Sequence, residues 1–446
     1  MAIPFVHIAH RYGLSDRLWA VIAAQGMFAT PYAIFFSRAT NTRGIVVLQR
    51  LMLTAAVLAA CAGGVAHAQI SVKLGVLNDR SGAGADITGE GSVIATRMAV
   101  DDFKPAEHGM KVEIVSADHQ NKPDIGSSIV RQWFERDGVD AVVDVPVSSV
   151  GLAVSQIARD QNKVMLNASS ASSDFSGKAC SPNTVNWSID SWALANGTGT
   201  AVTKRGGDTW FFLTADYAFG IALERDATQA VKKAGGQVLG AIHHPFLTAD
   251  FSSYLQQAQV SKAKVIGLAN SGGDTVKSVQ QAAEFGVVQG GQSLAALLIY
   301  VTDVKAIGLQ SAQGLLLTEA FYWDRDEGSR AFSKRFAERM GGKMSTAVHA
   351  AVYSSVLHYL KAVDALKSAK DGAAVVAKIE ALPTDDPLFG KGSVRVDGRK
   401  LHDLYLFEVK KPAESKGEWD LYKVVATIPA AEAFRPLSDG GCPLVK

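Results

Sequence analysis

Short apolar strands and amphipathic helices alternate strictly along this chain, and the alternation runs through twice. Val72-Lys73-Leu74-Gly75-Val76-Leu77 reads as a strand buried on both faces. A helix over 93–103 follows, with Val93, Ile94, Met98, Ala99 and Phe103 at helical spacing. Strands at 111–115, 140–145 and 164–167 come next, with helices at 123–136 and 148–162 between them. Such alternation specifies a parallel, doubly wound sheet with helices on both faces.

The pattern restarts at 208–213. Helices at 220–234, 251–261 and 275–285 separate strands at 238–242 and 265–269, and 297–300 and 314–318 read as later strands. Two successive sets imply two lobes, with a hinge near 184–190. Further on, 330–340 and 347–368 read as helices. Short β-like runs then appear at 393–396, 404–409 and 420–425, with a hairpin-type turn at Asp397-Gly398. The expected division is 69–187 with 320–390 as lobe 1, and 188–319 with 391–446 as lobe 2. With 446 residues, 48% of them hydrophobic, the chain can fill two cores.

Residues 44–68 read GIVVLQRLMLTAAVLAACAGGVAHA. Arg43 and Arg50 supply positive charge, 51–65 is apolar, and Ala66-His67-Ala68 offers small residues at a cleavage site. That is the order of an export signal, and the run is short for a membrane span. A buried core helix is the structural alternative. Leu58-Ala59-Ala60-Cys61 also fits a lipobox that would place a lipid on Cys61. Residues 1–43 precede the signal and are expected to be an over-long start or a disordered segment, with the true start at Met52 or a little upstream. An exported chain with Cys180 and Cys442 left suggests one disulfide, against two buried thiols.

Charge excludes some partners. There are 45 basic and 43 acidic residues, interspersed, for a net +2. A nucleic-acid surface or an electrostatic membrane anchor has no support there. Gly82-Ala83-Gly84-Ala85-Asp86-Ile87 follows a strand and precedes a helix, but Ile87 stands where a dinucleotide fingerprint needs its third glycine. His243-His244 has no carboxylate or cysteine company at metal spacing. Asp118-His119 reads as a strand-end cap rather than a catalytic pair. No motif supports an enzyme or a cofactor.

Polar residues concentrate instead at the C-terminal ends of strands, where open α/β sheets bind ligands. They are Asn78-Asp79-Arg80-Ser81, Ser148-Ser149, 167–173, Tyr217 with Phe219, Asn270 to Asp274, and Thr302-Asp303. A serine at a helix start is commonly just an N-cap. Several such ends converging on one cleft make a carboxylate site from hydroxyls and helix N-termini.

From Ile70 onward the chain resembles type I periplasmic binding proteins of the leucine/isoleucine/valine-binding class. The carriers are VKLGVLNDRSG, VDAVVDVPVSSVGLAVSQIA with VMLNASSASSDFSG, TWFFLTADYAFG, AKVIGLANSGGDT, AQGLLLTEAFYW and FGKGSVRVDGR. The resemblance implies the periplasmic binding protein-like I fold, α/β, with two doubly wound parallel-sheet lobes joined by a multi-strand hinge. It implies a ligand-binding set of Arg80, Ser148, Ser149, Ser170, Ser172, Tyr217, Phe219, Asn270, Ser271 and Asp303. It implies a monomeric periplasmic component of an ABC importer, which closes on a small carboxylate and hands it to permease subunits. The ligand would be a branched-chain or other amino acid, or an aromatic or other organic acid. Asp303 alone is near the position where amino-acid binders hold the ligand ammonium, and Arg80 adds a positive charge. Both departures fit a carboxylate without an ammonium. The same fold also serves sensors that regulate a signalling partner, and an exported α/β enzyme, which would turn over a bound acid, is a third reading.

Overall fold

A computed structural model describes residues 69–446 except Ser188. The segment 1–43, the export signal 44–68 and Cys61 lie outside the described residues.

Lobe 1 is built on a five-stranded sheet ordered β2-β1-β3-β4-β5, parallel throughout. Its strands are β1 (Ile70–Asn78), β2 (Met110–Asp118), β3 (Ala141–Asp144), β4 (Val164–Asn167) and β5 (Thr184–Asn186). Side chains alternate across it as the pleat requires. Val143 and Leu166 join the core beneath helices α1 (Gly89–Phe103) and α9 (Ala347–Leu366). Val142 and Met165 join the opposite core, beneath α2 (Pro123–Glu135) and α3 (Ser148–Asp160). This is the doubly wound arrangement that the alternation demands.

Lobe 2 repeats it with four parallel strands ordered β7-β6-β8-β9. These are β6 (Thr209–Ala215), β7 (Gln237–His244), β8 (Val265–Ala269) and β9 (Ser293–Ala296). Helices α4 (Ala218–Lys233), α5 (Ser252–Val260), α6 (Gly273–Glu284) and α7 (Val301–Ile307) accompany them. The strand expected at 297–300 is displaced: β9 ends at Ala296, and Leu297 to Tyr300 are buried without strand pairing. Burial, rather than a place in the sheet, explains that apolar run.

An antiparallel sheet, β10 (Leu316–Glu319), β14 (Leu404–Val409) and β15 (Tyr422–Ile428), shares Leu317, Phe407 and Tyr422 with the lobe 2 core. Helices α8 (Glu327–Arg339), α9 and α10 (Gly372–Ala381) return to lobe 1, where α9 packs on α1. That contact needs Gly91, because a Cβ there would stand 2.3 Å from His349 Nε2. Residues 391–446 do not all follow lobe 2. Strands β11 (Thr384–Asp386), β12 (Gly390–Val394) and β13 (Lys400–Leu401) stay beside α10, since β12 pairs with the strand just after that helix. The turn between β12 and β13 has Gly398 at φ 76°. The C-terminal tail is tied to lobe 1 by a disulfide between Cys180 and Cys442, and Arg435 donates to Ser173 O at 2.8 Å.

Candidate functional site

In both sheets the strand order reverses beside the first strand: between β1 and β3 in lobe 1, and between β6 and β8 in lobe 2. The loops leaving a sheet on either side of such a reversal diverge and leave a crevice. Here the four loops face one another around one cavity, lined by Asp79, Ala83, Gly84, Ile87 and Thr88, by Pro146 to Ser148, by Tyr217 with Phe219, and by Ser271 to Gly273. The space open to water-sized bodies inside it is about 80 Å³. That is room for roughly five to eight waters, or for one small molecule.

Each of the four loops ends in a helix. The N-caps of α1, α3, α4 and α6 are Thr88, Val147, Tyr217 and Gly272; all four line the cavity and none caps its helix through its side chain. Backbone N–H groups at those starts lack intrahelical partners, and each start carries roughly half a positive charge. Two lobes therefore aim four positive helix ends at one small space.

The lobe 1 loops are held in place by polar side chains. Asp79 accepts from Gly82 N at 2.7 Å, Gly84 N at 2.8 Å and Asn121 Nδ2 at 2.8 Å, which folds the glycine-rich loop around it. Behind Thr88, His349 Nδ1 accepts from Thr346 N at 3.1 Å, so Nε2 carries the proton and donates to Thr88 O at 3.1 Å. Burial pushes that imidazole down to about 4, which keeps it neutral. The loop after β3 is strained. Asp144, Val145 and Val147 have φ of 79°, 57° and 68°, and β-branched residues rarely adopt such angles. Asn78 Nδ2 to Asp144 Oδ2 at 3.0 Å and Ser170 Oγ to Val145 O at 2.6 Å hold it.

This geometry sorts the expected ligand-binding residues. Ser148, Tyr217, Phe219 and Ser271 stand on the cavity wall. Ser148 Oγ accepts from Ser172 N at 3.1 Å and, among the described residues, donates to none. Tyr217 stacks on Phe246 with centroids 4.4 Å apart, and its hydroxyl meets Ser271 Oγ at 3.3 Å. Burial drives its phenol well above the ordinary range.

Six others are placed differently. Ser170 supports the strained loop, and Ser172 caps the short helical turn Ser173–Ser176. Ser149 is one residue further along α3 and off the wall. Arg80 turns to Glu90, and Asn270 accepts from Thr275 Oγ1 at 2.8 Å inside lobe 2. Asp303 accepts from Tyr300 N at 2.9 Å at the start of α7 and is only 5% exposed. Burial raises its carboxyl to about 7.

The wall also has Phe246, Leu247, Leu298, Tyr300 and Val348, which sequence reasoning missed. An apolar residue just past a strand reads as core. Phe246 and Leu247 follow β7, Leu298 and Tyr300 follow β9, and Val348 opens α9; only the tertiary arrangement, which a single sequence does not display, brings them to the cavity.

Residues 71–418 match the family model for periplasmic binding proteins. The chain belongs to this family. A periplasmic binding protein from Burkholderia mallei is 48% identical, with a TM-score of 0.82 over 84% of this chain and 99% of its own. A branched chain amino acid ABC transporter periplasmic ligand-binding protein from Burkholderia xenovorans is 39% identical, with a TM-score of 0.75 over 84% and 100%. A Leu/Ile/Val-binding protein homolog 6 from Brucella melitensis is 26% identical over 378 residues, 82% of this chain and 94% of that protein. This is a type I periplasmic binding protein of the leucine/isoleucine/valine class, and its role is to bind a substrate. No described helix is long and apolar enough to cross a membrane.

Proposed function

We propose that this binding protein is the substrate-binding component of an ABC importer and that its ligand is a small aromatic carboxylate. The cavity wall carries this reading. Tyr217, Phe219, Phe246 and Tyr300 suit the faces and edge of a ring. The Ser148 hydroxyl, at the start of α3, suits a carboxylate. Asp79, the one carboxylate among the described wall residues, already accepts three N–H bonds, two from its own loop and one from Asn121. Asp303, the expected partner for an amino acid's ammonium, lies off the wall. An α-amino acid would bring a cation to a space surrounded by four positive helix ends.

The lobes close around the ligand, and the closed form docks on the permease subunits. The chain is exported to the periplasm by the signal at 44–68, works there as a monomer and performs no catalysis.

A thermal-shift and calorimetry series with benzoate, 4-hydroxybenzoate, leucine and phenylalanine tests the ligand class. An aromatic acid at a hundred times its Kd stabilises by about 2.7 kcal/mol. Leucine binding in preference to both benzoates overturns the aromatic assignment. A ligand consumed during incubation overturns the non-catalytic reading.

A further inference from the structure

The two lobes approach each other on the cavity wall at a pair of glycines. Gly272 has φ 55° and ψ −129°, a conformation nearly confined to glycine. A Cβ built on it would stand 3.4 Å from Ile87 Cδ1. A Cβ built on Gly273 would stand 3.1 Å from Ala83 Cβ, with nothing else within 4 Å. Ala83 and Ile87 belong to the loop after β1 in lobe 1, and the glycines open α6 in lobe 2.

Gly273 is the informative member. Its φ is not positive, so its backbone accepts any residue. It is the first residue of a twelve-residue helix, where alanine is a better helix former than glycine. Lobe 2 has no internal need for glycine at this point. The need comes from across the cleft.

We infer that the contact between Gly273 and Ala83 sets how far the clamp closes, and through that sets affinity. The inference rests on the clamp reading proposed above. A side chain at Gly273 meets lobe 1 before the cavity is sealed, so it penalises the closed state and leaves each lobe intact. The apparent Kd then rises as the closed fraction falls.

The test uses the mature, oxidised protein with spin labels at Lys122→Cys in lobe 1 and Val260→Cys in lobe 2, both exposed positions. Interlobe distances are measured by pulsed electron resonance without ligand and with 4-hydroxybenzoate, and Kd by calorimetry. Gly273→Val is expected to lengthen the saturated-state distance and raise Kd about tenfold. Gly273→Ala gives a smaller change in the same direction. Adding Ala83→Gly to Gly273→Ala removes the methyl it meets and restores both readouts; neither misfolding nor a lost ligand contact would be rescued that way. An unchanged distance in Gly273→Val, or no restoration by Ala83→Gly, overturns the inference. If 4-hydroxybenzoate binds no form, the ligand assignment fails separately. The ligand-free distances then decide: a closed fraction that falls in Gly273→Val supports the contact, and an equal one overturns it.

Discussion

Each lobe reverses its strand order beside its first strand, and each sends two uncapped helix starts from that point into the cavity. What surrounds those starts differs. Lobe 1 brings Asp79, Thr88, Ser148 and Ser169, on loops held by Asn121, Ser170 and His349. Lobe 2 brings Tyr217, Phe219, Phe246 and Tyr300. The shared scaffold determines where a ligand sits and gives both walls the same half-charges. The side chains differ: a carboxylate and hydroxyls stand on the lobe 1 wall, and four rings on the lobe 2 wall, where Ser271 adds a hydroxyl. Both lobes bury titratable groups. Burial lowers His119 and His349 to about 4 in lobe 1, and raises Asp274 to about 6 and Asp303 to about 7 in lobe 2. It also raises Asp144 in lobe 1 and lowers His244 in lobe 2.

The largest test separates stability from recognition. The disulfide ties the tail to lobe 1 across 262 positions, and neither cysteine is on the cavity wall. Replacing Cys180 and Cys442 together by alanine should cost about 2–4 kcal/mol in denaturant unfolding, with ligand affinity unchanged. An affinity that falls with the stability would mean that the tail also supports the cavity, and lobe 1 could not be treated as a self-contained wall.

The next test separates grip from support within lobe 1. Ser148→Ala removes a hydroxyl at the cavity and should cost about 1.5–3 kcal/mol of binding, roughly 10- to 100-fold in Kd. Ser170→Ala should instead lower unfolding stability by about 1 kcal/mol, because its hydroxyl holds Val145 O in a strained loop. Equal affinity losses in the two variants, read by calorimetry, would erase that distinction.

The two serines also show how far the sequence could be read. Strict alternation of strand and helix specified both parallel sheets, because few other layers bury such runs on both faces. It brought Ser148, Tyr217, Phe219 and Ser271 to strand ends, and all four face the cavity. It could not say which of the four serines in 169–173 turns to the cavity, where Ser169 stands. Ser170 instead holds Val145 O, in a loop where Val145 and Val147 take a positive φ that β-branched residues rarely adopt. Tyr300 was legible only as an apolar strand end, and Asp303 only as an acid near a cleft. Their exchange of places on the wall follows from the hydrogen bond between Tyr300 N and Asp303.

That bond supplies the smallest test, on the lobe 2 side of the comparison. The Asp303 carboxyl sits near 3.8 when exposed and is raised by burial to about 7 in the folded chain. Between those values the native protein binds a proton that the unfolded chain does not. Stability from this group is fully present below pH 3.8, declines as pH rises through the window and is gone above about 7. Asp303→Asn keeps an oxygen for Tyr300 N and removes the titration. Relative to the variant, the wild type should lose about 1 kcal/mol between pH 6 and 7, and the variant should be the more stable above pH 7. The lowered lobe 1 histidines act in the opposite sense, adding stability as pH rises from 4 to 6.5. They are present in both proteins, so the difference between the two curves isolates Asp303. Parallel denaturant midpoints from pH 5 to 8 would show that its carboxyl is not held protonated by burial in lobe 2.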